Sequence, residues 1–110
     1  MDIDGAVRSL AALAQDSRLA LYQQLVQAGP AGVAAGELAG RLGIPANTLS
    51  FHLRTLNHAG LVGARHEGRY THYSANYAQM HALVAFLTRN CCGGRSCAPA
   101  ATSRRRRRRA

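Results

Sequence analysis

The sequence predicts a mainly α-helical fold closed by a β-hairpin, and three features of its 110 residues carry that expectation. Apolar residues recur at helical spacing in successive segments. A Gly43-Ile44-Pro45 turn separates two of those segments. Gly43 can take the positive φ that ends one helix, and Pro45 sets φ for the start of the next. Further on, Leu61 to His66 and Arg69 to Ala75 read as short strands joined at Glu67-Gly68, a hairpin signal. Two packed helices of any kind could share such a turn. Four helices followed by a hairpin favour a winged helix-turn-helix, with five helices in all and a two-stranded wing.

Each element has its own signal. Ile3, Val7, Leu10 and Ala14 lie at i, i+4, i+7 and i+11, widened by Ala6 and Leu13, so the first helix is amphipathic. So small a core offers this helix no groove, and it is expected to help bury a dimer interface. Asp16 or Ser17 can cap the second helix, whose stripe is Leu19, Tyr22, Leu25 and Val26, and Gly29-Pro30 stops it. Ala31 to Ala35 read as a loop. The third helix, Gly36 to Leu42, turns Leu38, Ala39 and Leu42 inward. The fourth, Ala46 to Ala59, buries Leu49, Leu53 and Leu56 and ends at Gly60. The last runs from Ala78 to Arg89 with Met80, Leu83, Val84 and Leu87 as its stripe, and should pair with the first helix across a dimer. Residues 1–90 thus form one domain. The segment 91–110, rich in Gly, Pro, Ser and Arg, is expected to be a flexible tail.

The outer side of the fourth helix carries Asn47, Ser50, Phe51, Arg54 and His58. Amide, hydroxyl and guanidinium groups suit base edges and phosphates, and a solvated helix face has a similar composition. Phe51 speaks for a partner, because a large aromatic facing water usually has one. Arg65, His66 and Arg69 sit near the hairpin tip, where a wing reaches the DNA backbone or minor groove.

Charge agrees with a polyanionic partner. The net charge is +9, with all 14 cations Arg. Arg104 to Arg109 supply six of them, which leaves eight Arg against five acids elsewhere, a net of +3. Charge alone does not separate nucleic acid from a membrane surface. No apolar run approaches a membrane span, and the N-terminus lacks a signal-peptide pattern, so a cytoplasmic protein is expected. No nucleotide-binding glycine motif or Ser/His/Asp arrangement can be argued, and carboxylates are too few for paired acid-base work. An enzyme is a poor fit. The five histidines suggest no metal site and read as DNA-facing or surface residues.

All three cysteines fall in the last segment, as Cys91, Cys92 and Cys97. A structural disulfide is not expected in a cytosolic chain. Three thiolates on a Gly-Gly loop can converge on one thiophilic ion. Three-fold thiolate coordination suits trivalent arsenic or antimony, whose lone pair fills the remaining direction, whereas zinc prefers a fourth ligand. Arg89 and Arg95 flank the cluster and should favour the thiolates. Three incidental tail thiols are the bland alternative.

From Ser17-Arg18 through ELAGRLGIPANTLSFHLRTLNHAGLV to GRYTHYSA, the chain resembles the ArsR/SmtB family of metalloregulatory winged-helix repressors, over roughly residues 5–92. The resemblance implies a homodimer on a palindromic double-stranded operator, repressing arsenic-resistance genes until an inducer lowers DNA affinity. Carried over by position, Ala46, Asn47, Ser50 and Phe51 face the bases, Arg69 lies in the wing, and Cys91, Cys92 and Cys97 match the inducer site. No permanent cofactor is implied; arsenite, methylarsenite or antimonite is the inducer. The chain departs from the family in three places. The third helix lacks the cysteine pair of many arsenic sensors, and the last helix offers only His81 of the ligands used by zinc and cobalt sensors. The third cysteine also comes earlier than in the arsenic-sensing members, and Cys91 with Cys92 would suffice for a methylated trivalent arsenical. The Arg tail is outside the family pattern and would add phosphate affinity or nothing. Oxidation of the same thiols, or another thiophilic metal bound by them, is the alternative trigger.

Overall fold

The computed structural model describes residues 1–94, so Arg95, Cys97 and Arg104 to Arg109 lie outside the described residues. The helices are α1 (Ile3–Leu13), α2 (Asp16–Ala28), α3 (Ala35–Leu42), α4 (Ala46–His58) and α5 (Tyr77–Leu87). The strands are β1 (Val33–Ala34), β2 (Val62–Glu67) and β3 (Tyr70–Ala75). The core sits where α2, α3 and α4 meet the root of the sheet, filled by Leu21, Leu25, Leu38, Leu49, Leu56 and Leu61.

Caps define most of the helix starts. Asp2 accepts from the Gly5 N–H at 2.8 Å to open α1, and Asn76 accepts from the Gln79 N–H to open α5. The cap of α2 differs from expectation. Gln15, not Asp16 or Ser17, accepts from the Arg18 N–H at 2.9 Å, because Gln15 is the residue still in extended backbone. Leu19 also departs from its expected stripe and is exposed, while Leu21 takes the buried place beside Tyr22 and Leu25.

The turn between α3 and α4 follows the sequence reading. Gly43 is left-handed at φ 66°, its N–H closing on Ala39 O at 2.9 Å, and Pro45 stands as N-cap of α4 at φ −63°.

The sheet has one strand more than the expected two-stranded wing. β1 pairs antiparallel with β3, Val33 opposite Tyr73, giving the order β1-β3-β2. Two residues are too short for alternation to show, so this part of the Ala31 to Ala35 segment carries no strand signal. Gly32 leads into β1 so close to β3 that a Cβ there would lie 2.7 Å from Tyr73 O. In the hairpin, Glu67 faces Tyr70, so the turn is Gly68-Arg69 and Arg69 leaves its expected strand.

The first and last helices each carry several apolar residues that the protomer does not cover. Ile3 (66%), Val7 and Leu10 on α1 and Val84 and Leu87 on α5 are exposed. The inward side of α1 instead buries Ala6, Ser9 and Ala12. No helix is long and apolar enough to cross a membrane, among the described residues.

Candidate nucleic-acid interface

The buried stripe of α4 sets what the helix presents outward. Leu49, His52, Leu53 and Leu56 are buried, which leaves Ala46, Asn47, Ser50, Phe51, Arg54 and His58 exposed. His52 is a correction to the surface reading of the histidines. It lies at i+3 from Leu49, within the stripe, and is only 7% exposed. Its Nδ1 finds no hydrogen-bond partner among the described residues. Burial, with the nearby Arg18 charge adding to it, pushes its pKa below the usual imidazole range.

The hairpin stands beside this face. Asn57 Nδ2 donates to Val62 O at 3.0 Å and fixes the end of α4 to the root of β2. Between helix and hairpin opens a cleft of about 320 Å³, lined by Ser50, Leu53, Arg54, Asn57, Ala64 and Tyr73. Two cations expected to contact DNA, Arg54 on α4 and Arg69 in the turn, are exposed and pair with no carboxylate among the described residues.

Arg65 is placed differently. Its Nη2 donates to Ala31 O at 3.0 Å, so the side chain reaches the loop before β1. Its Nε lies 3.5 Å from Glu67 Oε2, and the side chain is half-exposed. Arg65 therefore braces the sheet in this conformation. The sequence alone does not show this role, because the acceptor belongs to a loop far away in the chain. Tyr70, next to Arg69, also escapes sequence reasoning; it is strongly exposed, and its position beside the turn is the available signal.

The cysteine segment follows α5 directly. A 3₁₀ turn, Cys91–Gly94, carries Cys92 at φ 57°, just after Asn90 at φ 57°. Both thiols are exposed, and their Sγ atoms lie 3.6 Å apart. With sulfur–metal bonds of about 2.3 Å, that spacing subtends roughly 100° at a shared ion, which fits a pyramidal centre. Arg89 turns to Phe86, its Cζ 4.9 Å from the ring centroid. No group of three His, Cys, Asp or Glu side chains is poised for a metal among the described residues. The third expected ligand, Cys97, lies outside them.

Comparison with known proteins agrees with this architecture. A helix-turn-helix domain family model matches residues 13–62. No curated protein matches significantly. Among solved structures, the chain is similar to the homodimeric winged helix-turn-helix DNA-binding domain of a possible ArsR-family regulator from Mycobacterium bovis. That pair shares 30% identity over 86% of this chain and 88% of that one, with a TM-score of 0.64. Reduced HlyU from Vibrio cholerae N16961 shares 31% identity over 81% and 90% of the two chains, with a TM-score of 0.64. A possible transcriptional regulator for arsenical resistance shares 30% identity over 72% and 79%, also at 0.64. Fold, exposed α4 face and these relatives together make the chain a DNA-binding transcriptional regulator, not an enzyme, and a member of the ArsR/SmtB family.

Proposed function

We propose that this regulator is a cytoplasmic homodimeric repressor of arsenic-resistance genes, released from its operator when trivalent arsenic or antimony binds Cys91, Cys92 and Cys97. The observation that carries this reading is the 3.6 Å approach of the Cys91 and Cys92 sulfurs directly after α5. A solved relative described as a possible regulator for arsenical resistance supports it. Each As–S bond would replace one As–O bond of arsenous acid, and the displaced hydroxyl would leave as water with the proton of the incoming thiol.

Dimerisation would cover Ile3, Val7 and Leu10 of α1 with Val84 and Leu87 of α5, the apolar groups the protomer leaves in water. A two-fold dimer then sets two α4 helices into major grooves about one helical turn apart. Asn47, Ser50, Phe51 and Arg54 face bases and phosphates, with Ala46 at the helix start, and Arg69 reaches the backbone from the wing. Arg65 joins them where it releases Ala31.

Inducer binding would act through α5. The start of that helix is bonded to the exit of α4: Asn76 Nδ2 donates to Gly60 O at 2.9 Å and Gln79 Nε2 to Ala59 O at 3.4 Å. Drawing the chain after α5 around an ion biases the helix, and these bonds pass the bias to α4. A coupling of about 1–3 kcal/mol would weaken operator binding roughly 5- to 150-fold.

Anisotropy of labelled upstream DNA in reductant, with arsenite titrated, tests the reading. Release near one arsenic per subunit, abolished in Cys92→Ser, is expected. Tight binding indifferent to arsenite removes the inducer assignment and leaves the regulator. The same exposed sulfurs also suit an oxidative trigger, and a relative solved in a form described as reduced favours keeping that second reading. Release by peroxide alone, with arsenite inert, would select it.

A further inference from the structure

We propose that Phe51 reads the C5 methyl group of a thymine in the major groove, which makes it a specificity-determining residue of α4. The inference rests on the placement of α4 against DNA described above.

Phe51 is 55% exposed between Ser50 and Arg54, on the side of α4 opposite the core. Its ring has the His52 imidazole as a neighbour. The centroid lies 5.8 Å from that of His52, tilted by 60°, and His52 is itself buried in the core stripe. The backbone of the same turn is fixed as well, since Thr55 Oγ1 donates to Phe51 O at 3.1 Å. The ring is therefore presented outward from the helix, beside an imidazole buried in the core stripe.

A phenyl ring in a major groove can neither donate nor accept a conventional hydrogen bond. Guanine offers N7 and O6, adenine N7 and N6, cytosine N4; the thymine methyl is the one apolar feature of the four bases. Facing any of the polar edges, the ring would strip water without replacing its hydrogen bonds, a net loss. Facing the methyl, it removes apolar surface from water on both sides. Burial of one methyl group corresponds to about a fourfold change in affinity.

The test uses the full-length chain in reductant and its own upstream DNA, with the thymines of the protected site replaced one at a time by deoxyuridine. This substitution removes the methyl and keeps the base pairing. Wild-type protein should lose about fourfold affinity at one thymine of the half-site. Phe51→Ala should no longer distinguish thymine from deoxyuridine there, while Phe51→Leu, which stays apolar, should retain part of the discrimination. If Phe51→Ala binds too weakly to measure, Phe51→Leu against Phe51→Gln makes the same comparison. The proposal is overturned if no deoxyuridine position weakens wild-type binding, or if the Phe51 variants keep the full penalty. Loss of all sequence-specific binding in the wild type would instead overturn the placement of α4 on DNA, and this inference with it.

Discussion

Gln79 on α5 donates through Nε2 to the hydroxyl of Ser9 on α1 at 3.1 Å, joining two helices that each leave several apolar residues uncovered. Ser9 is fully buried, so this amide is what satisfies its oxygen. The same Nε2 also reaches Ala59 O at the end of α4. Gln79→Ala leaves a buried hydroxyl and a helix-end carbonyl short of a donor. It should cost about 1–3 kcal/mol in urea unfolding. If the link carries inducer coupling, the arsenite-driven loss of DNA affinity should also shrink in the same variant; an undiminished response would show that the coupling runs elsewhere.

The arginines should separate by their partners. Among the described residues, Arg54 and Arg69 are exposed and pair with no carboxylate, so each can neutralise a phosphate. Arg54→Ala and Arg69→Ala should each flatten the log–log salt dependence of DNA binding by about 0.9. Arg65→Ala should flatten it less, because Arg65 is already bonded to Ala31 O and lies near Glu67. Its loss should appear instead as lower stability of the sheet. Anisotropy across a salt series, with urea unfolding of the same proteins, checks both halves.

The sulfur pair makes a prediction about Cys97. Cys91 and Cys92 are close enough to share one ion, so a methylated trivalent arsenical, which takes two thiolates, needs no third. Cys97→Ser should keep its response to methylarsenite while the midpoint for arsenite rises. Equal losses for both inducers would mean that Cys97 is needed even for the two-thiolate ligand.

The helices are legible in the sequence because their boundaries rest on local chemistry. Gly43, Pro45 and Gly60 bracket α4 by backbone preference alone, and the leucine spacing fixes which side faces the core. What sequence reading misses depends on distant partners. The pairing of β1 needs Tyr73, and the Arg65 brace needs the loop that β1 positions. His52 is the instructive case: strict helical spacing places it in the buried stripe, and only the polarity of imidazole argues for the surface. The DNA-facing residues of α4 follow from the same stripe by exclusion.

Gly32 tests the unanticipated strand. It sits at φ 81°, and a Cβ would meet Tyr73 O at 2.7 Å, a backbone atom that cannot step aside. Gly32→Ala should therefore destabilise the fold by about 2 kcal/mol or more, beyond an ordinary glycine replacement. Gly36→Ala, with open space around its Cβ position, is the control and should be neutral or mildly stabilising.

His52 gives the fold an acid limit. Its pKa is lowered in the folded protein, by burial first and by Arg18 second, whereas in the unfolded chain it titrates near the ordinary imidazole value of about 6.5. On acidification the unfolded state takes up this proton before the folded state does. Linkage then requires stability to fall as pH drops. The contribution is fully present above the unfolded pKa and is lost as pH falls through that value toward the folded one. Urea midpoints measured from pH 7.5 down to pH 5 should decline in the wild type and decline less in His52→Gln. The difference isolates His52, because the other four histidines are common to both proteins. Parallel curves would mean that the buried imidazole protonates as readily folded as unfolded, against an Nδ1 with no hydrogen-bond partner among the described residues and the apolar stripe around it.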